Sequence, residues 1–312
     1  MEVSSNHKDT DSSSLIRNYP FYPPVSRELV KVLTEFIKQE TTRFGIKKIV
    51  TGLSGGIDST VAAYLAKEAL GSKNLIGVLM PYKESSSSSI RDALAIVKSL
   101  KIKSKIIDIT PAVDAIIEAN GLDSSARSPS DRIRPAKAGH SVNDNRIRKG
   151  NVIARMRMIC LYDQSNEHKA LVLGTGNKTE ILLGYTTLYG DAASAINPLG
   201  DLYKTQVWQL AELLKCPKQI IKKKPSADLW TGQSDEGELG FSYKEVDELL
   251  YWMIDQRVPT GELVTAGFNH TFVKRVQTII KNNQFKRVPP IIAKVSNRTV
   301  NVDFRYNRDW GS

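Results

Sequence analysis

Two cysteines in 312 residues, Cys160 and Cys216, lie too far apart for a disulfide framework, and no C-x-x-C pair is present to begin a zinc site. No apolar run approaches the roughly 20 residues that cross a bilayer, so no membrane partner is expected. Residues 1–20 lack an apolar signal core, and Glu2, Asp9 and Asp11 argue against an organelle transit peptide. A reducing, cytoplasmic location is the expectation. Two segments are strongly basic, and the first has no aromatic side chain among its charges, which speaks against a nucleic-acid groove there. These are residues 121–150, with seven basic against three acidic groups, and 281–312, with seven against two. Together they hold nearly all of the net charge of +11, so their charge either is solvated or faces a phosphate-bearing substrate, with RNA the less favoured reading.

What is present is ordinary globular composition, 41% hydrophobic and 25% charged, in a chain long enough to bury a large core. Residues 1–20 read as a serine-rich disordered arm. A helix is expected near 26–44, then strands near 47–53, 75–80, 103–109 and 170–173, alternating with helices ending at Gly71, over 90–100 and over 151–165. A serine-rich loop, Ser85–Ser89, precedes the second of these helices, and a polar, mobile insertion spans about 121–149. Alternation of this kind predicts an α/β fold with a doubly wound, mostly parallel sheet flanked by helices, whose ligands sit beyond the carboxyl ends of the strands. A single domain is expected over 21–283, with a lid loop at about 224–240 and a basic tail over 284–312.

The first strand runs into Ser54-Gly55-Gly56-Ile57-Asp58-Ser59-Thr60. A tight glycine turn opening a helix leaves backbone N–H groups free for phosphate, and Gly55 and Gly56 allow positive φ and close approach of an anion. Ser54, Ser59 and Thr60 add hydroxyls, and Asp58 adds a hard oxygen ligand for Mg²⁺. The G-x-x-x-x-G-K-[ST] loop has a lysine where Asp58 stands, so this is a different phosphate loop. An acid at that point suits a metal holding a pyrophosphate that departs whole. The alternative is an ordinary Gly/Ser turn.

A second strand-to-helix turn, Gly174-Thr175-Gly176-Asn177-Lys178-Thr179-Glu180, follows the strand over 170–173. If the two strands are neighbours, Asp58 and Glu180 reach one divalent ion from two sides. The alternative has Thr175 capping a helix and Glu180 as a solvated first-turn acid.

The turn at 54–60 resembles the pyrophosphate loop of the ATP-pyrophosphatase superfamily. With Gly150–Met158 (GNVIARMRM), Gly174–Glu180, Tyr189-Gly190-Asp191, Pro198–Thr205 (PLGDLYKT) and Pro225–Leu229 (PSADL), in that order, the chain closely resembles NAD⁺ synthetases, with an adenine nucleotide alpha hydrolase-like, Rossmann-like fold. Gln284–Pro290 and Asp303–Tyr306 resemble the carboxyl-terminal signature of one bacterial branch.

The resemblance implies ATP-dependent amidation of nicotinic acid adenine dinucleotide (deamido-NAD) to NAD⁺ through an acyl-adenylate, with release of pyrophosphate and AMP. It implies Mg²⁺ on Asp58 and Glu180, and a pyrophosphate cradle of Ser54, Gly55, Gly56, Ile57, Asp58, Ser59 and Thr60. It also implies ATP contacts from Thr175, Lys204 and Ser226, a dinucleotide contact from Arg155, and Asp191 near the reacting amide end. A lysine and an acid that touch the dinucleotide in many members are replaced by Leu188 and Ala195, and the tail has no His-Lys pair; arginine or lysine of the insertion or tail is expected to supply those charges. Glutamine-using members carry a nitrilase-like domain ahead of the synthetase part. Only about twenty arm-like residues precede the first helix here, so free ammonia is the expected donor. A homodimer is expected by resemblance alone. The rival readings are a tRNA-modifying ATP-pyrophosphatase, which the charge favours, and a non-catalytic adenine-nucleotide-binding module.

Overall fold

The computed structural model describes residues 25–43, 45–122, 142–230, 232–300 and 303. The expected arm at 1–20 and much of the expected insertion and tail lie outside these residues. Four parallel strands, β1 (Lys48–Gly52), β2 (Leu75–Leu79), β3 (Lys103–Ile106) and β4 (Ala170–Val172), pair in the order β3-β2-β1-β4. Ile49 sits opposite Leu75 on one side and Leu171 on the other. β2 is buried throughout, which is why it reads as an unbroken apolar run rather than an alternating one.

Successive residues of β1 feed two cores. Ile49 joins Val61 and Leu65 of α2 (Ile57–Leu70), Val30 and Ile37 of α1 (Arg27–Arg43) and Ile96 of α3 (Ser87–Leu100). Val50 faces the other way, with Val113 of α4 (Thr110–Ala119) and Ile153 of α5 (Val142–His168). The sheet is therefore doubly wound, as expected. Three short helices follow, α6 (Lys178–Leu183), α7 (Lys204–Leu213) and α8 (Lys218–Ile221). Beyond them α9 (Asp235–Leu239), α10 (Tyr243–Leu250), a π-helical turn (Tyr251–Asp255), α11 (Thr260–Thr265) and α12 (His270–Asn282) gather around a third core. It is built from Tyr243, Val246, Leu249, Leu263 and Val273.

Two boundaries differ from expectation. Ser86 caps α3 by accepting from Ser88 N–H, so Ser87–Ser89 form a helical turn rather than a loop. α5 starts nine residues before the expected Asn151, taking residues 142–149 from the expected insertion. Gly150 lies inside this helix and packs closely: a methyl group there would come within 3.0 Å of Leu229.

The chain runs outward from β1 to β3, then returns past β1 to β4. This places the topological switch point between the carboxyl ends of β1 and β4, where the 54–60 and 174–180 turns emerge side by side.

Candidate active site

At the first turn, Gly55 has φ +73 and its Cα packs against the Ser89 carbonyl, which an added Cβ would meet at 2.4 Å. Its glycine is demanded by the protein's own backbone rather than by an approaching anion. Gly56 is the N-cap of α2 and makes no side-chain cap bond, which leaves first-turn N–H groups facing the cavity described below. Ser54 and Ser59 hydroxyls lie 3.1 Å apart across the loop mouth. Thr60 departs from expectation. It is fully buried and donates to Gly56 O at 2.7 Å, so its hydroxyl is used inside the helix.

At the second turn, Asn177 and Glu180 form a reciprocal capping box on α6. Glu180 Oε2 accepts from Asn177 N–H at 3.2 Å, and Asn177 donates from Nδ2 to Asp58 Oδ1 at 2.9 Å. The remaining oxygens meet one cation. Lys204 Nζ, only 2% exposed, stands 2.5 Å from Asp58 Oδ2 and 3.1 Å from Glu180 Oε1. The two acids therefore share one end of the sheet and one positive charge, and Glu180 is neither solvated nor alone. Burial pushes the Glu180 carboxyl upward while Lys204 pulls it down. Burial alone would lower the Lys204 ammonium, but Asp58 and Glu180 outweigh it and raise it.

These groups line a cavity of about 680 Å³, within the range of small-molecule sites. Thr175, Asp191, Lys204 and Ser226 all reach it, as do Ser54, Gly56, Ile57, Asp58, Ser59 and Glu180. Gly55 and Thr60 sit behind the wall. Arg155 does not line the cavity; it is exposed and donates to Leu188 O at 3.2 Å. Two positions further along α5, Arg157 lines the cavity, donating weakly to Met80 O at 3.3 Å. Asp191 accepts from Thr187 N–H at 2.7 Å. The wall on one side desolvates its carboxyl and raises its pKa, while its open side faces the cavity.

Several lining groups carried no clear sequence signal. Lys223 donates to Asp92 at 2.9 Å and to Gly55 O at 3.3 Å, pinning the phosphate loop to α3. Asp235, expected within the lid loop, is buried and held by the hydroxyls of Tyr185 and Tyr243 at 3.2 and 3.1 Å. The first part of that stretch is tied down as well, since Asp228 accepts from Ser86 N–H at 3.2 Å. Lys286, from the expected tail, donates to Gly184 O and Thr186 O at 2.6 and 2.9 Å and lines the cavity, its charge acting on Asp191. Asn177 was legible in part, because Asn-x-x-Glu is a capping-box pattern.

The site has the donors a magnesium ion takes: two carboxylates already converging on one cation beside a phosphate-ready helix start. No group of three or more His, Cys, Asp or Glu side chains suited to a metal occurs among the described residues. Mg²⁺ is characteristically held by one or two carboxylates plus substrate phosphates and water, so the donor set fits.

The NAD synthase family model matches residues 29–290. An NH₃-dependent NAD⁺ synthetase of Trichlorobacter lovleyi is 50% identical over 288 residues, covering 92% of this chain and 98% of that protein. Among solved structures, an NMN synthetase from Francisella tularensis superimposes with TM-score 0.70 at 29% identity, over 86% of this chain and 98% of its own. An NH₃-dependent NAD synthetase from Campylobacter jejuni gives TM-score 0.68 at 31% identity, over 86% and 99%. With a parallel sheet, paired turns at its switch point and a match running across nearly all of the described residues, this chain belongs to the NAD synthase family.

Proposed function

We propose that this protein is an ammonia-dependent NAD⁺ synthetase, a carbon–nitrogen ligase that amidates deamido-NAD at the expense of ATP. The nicotinate carboxylate oxygen attacks the α-phosphorus of ATP, and the bond to pyrophosphate breaks. Ammonia then adds to the acyl carbon, AMP leaves with the former carboxylate oxygen, and a proton is lost to give the amide. One observation carries the reading: the acids of two separate turns, Asp58 and Glu180, meet at Lys204 beside the free helix start of the phosphate loop.

Asp58 and Glu180 would hold Mg²⁺, which when bound offsets charge developing on the departing pyrophosphate. The N–H groups at the start of α2, with the Ser54 and Ser59 hydroxyls, bind that pyrophosphate. Lys204 supplies a permanent positive charge at the same point, and Thr175 and Ser226 border the nucleotide. Asp191 would orient or deprotonate ammonium at the acyl end, and Lys286, whose charge acts on Asp191, would replace the charge missing at Leu188; both line the cavity, which supports these roles. The rival readings as a tRNA-modifying enzyme or a non-catalytic module are not favoured. We assign the enzyme to the cytoplasm. No helix among the described residues is long and apolar enough to cross a membrane. A homodimer is supported by the exposed Ile147, Ile159 and Tyr162 along α5, which a second copy would cover.

The test follows AMP, pyrophosphate and NAD⁺ with ammonium or glutamine as donor, on deamido-NAD and on nicotinic acid mononucleotide. Equimolar AMP, pyrophosphate and NAD⁺ from deamido-NAD with ammonium is expected. Turnover confined to the mononucleotide, or to glutamine, would overturn the substrate assignment.

A further inference from the structure

Behind the cavity wall lies a carboxylate that none of the proposed chemistry uses. Asp247, on α10, is fully buried. Its Oδ1 accepts from the Thr179 hydroxyl at 2.5 Å, and its Oδ2 accepts from the Thr205 N–H and hydroxyl at 2.8 and 2.7 Å. Thr179 Oγ1 in turn accepts from Lys204 N–H at 3.0 Å. Thr179 immediately precedes Glu180 in the first turn of α6, and Thr205 immediately follows Lys204 in the first turn of α7. One buried carboxylate therefore lies across two helix starts, where negative charge is favoured, and binds the residues adjoining Glu180 and Lys204, the ion pair that reaches Asp58 through the Lys204 ammonium. α10 is itself fixed in the third core by Val246, Leu249 and Leu250, so the strut has a rigid base.

We propose that Asp247 is a positioning residue. Through Thr179 and Thr205 it holds Glu180 and Lys204 in the register that the metal and pyrophosphate require. The proposal rests on the assignment of Asp58 and Glu180 as metal ligands above. Outer partners that orient ligands in this way are typically worth 10–100-fold in metal affinity or activity.

Asp247→Asn is close to isosteric. Its carboxamide oxygen can serve the Thr205 pair, but its NH₂ then faces Thr179, which loses its acceptor. The test is an EPR titration of Mn²⁺ in the presence of a non-cleavable ATP analogue, alongside melting temperature and steady-state constants. About tenfold or greater weakening of Mn²⁺ binding is expected, with the KM for deamido-NAD within about twofold of the parent. A folded Asp247→Asn protein with parental Mn²⁺ affinity, while Asp58→Asn weakens it, overturns the proposal and leaves the ligand assignment standing. Parental affinity in Asp58→Asn and Glu180→Gln as well removes that assignment, and the proposal with it. If Asp247→Asn fails to fold, Thr179→Val cuts the same strut at its other end; tenfold weaker Mn²⁺ binding supports the proposal, and unchanged binding overturns it.

Discussion

Replacing Gly55 by alanine tests whether the phosphate loop is shaped by its own packing. At φ +73 an L-residue costs about 1–2 kcal/mol in the left-handed region. The new methyl group would also stand 2.4 Å from Ser89 O and 3.0 Å from Asp92 Cβ. Neither neighbour yields easily, because Ser89 lies in the capped first turn of α3 and Asp92 is paired with Lys223 at 2.9 Å. Relieving the overlap requires the loop to move by roughly half an ångström or more, and overpacking of this kind costs about 1–3 kcal/mol. The sum is about 2–5 kcal/mol of stability, read by urea unfolding. A displacement of that size where pyrophosphate must sit costs on the order of 10–100-fold in kcat/KM for ATP. Gly121→Ala is the control: φ is +59 but nothing lies within 4 Å of the added methyl group, so only about 1–2 kcal/mol is lost and the kinetics stay parental. If the two variants match in stability and in kcat/KM for ATP, the steric argument is wrong.

Lys204→Met leaves two largely buried carboxylates facing each other and should destabilise the metal-free protein by about 3–5 kcal/mol, checked by urea unfolding; a loss below about 1 kcal/mol would contradict the pairing. Thr60→Val should leave the KM for ATP within about twofold and cost about 1 kcal/mol, whereas Ser59→Ala should raise that KM; steady-state kinetics of both variants settle the point. Lys286→Met should raise the KM for deamido-NAD far more than that for ATP, and the reverse pattern would remove Lys286 from the dinucleotide side. Burial pushes the Asp247 carboxyl up to about 6, above its value in the unfolded chain. The stability this contributes is present below about pH 4 and is lost as pH rises through 6. The unfolding free energy of the parent minus that of Asp247→Asn should accordingly fall between pH 4 and pH 7.5 by about 2 kcal/mol, measured by urea unfolding; a flat difference would refute the raised value.

Much of this protein is legible without coordinates because its signals are local. Period and punctuation mark the four strands, and a strand running into Ser54-Gly55-Gly56 marks an anion-ready helix start regardless of what surrounds it. That Asp58 and Glu180 belong together is only conditional in the chain. It depends on β4 returning to the side of β1, a non-local pairing that no window of residues encodes. Side chains along α5 show the limit most plainly. Arg155 and Arg157 are chemically alike and two residues apart, roughly 200° around a helix, so one faces outward and the other the cavity. Gly150 lies within α5 because the helix starts earlier than its local pattern suggests, and it packs against Leu229.

Residue types and their order determined the kind of chemistry, since hydroxyls, glycines and acids at strand ends suit phosphate and magnesium whatever the wider fold. Tertiary structure decided which of those groups meet. It placed the Lys204 ammonium between two acids, spent Thr60 inside its own helix, brought Lys286 from the end of the chain to Asp191, and set Asp247 behind two helix starts. Distances of about 3 Å between residues scores of positions apart are properties of packing, and packing is settled by the whole core at once.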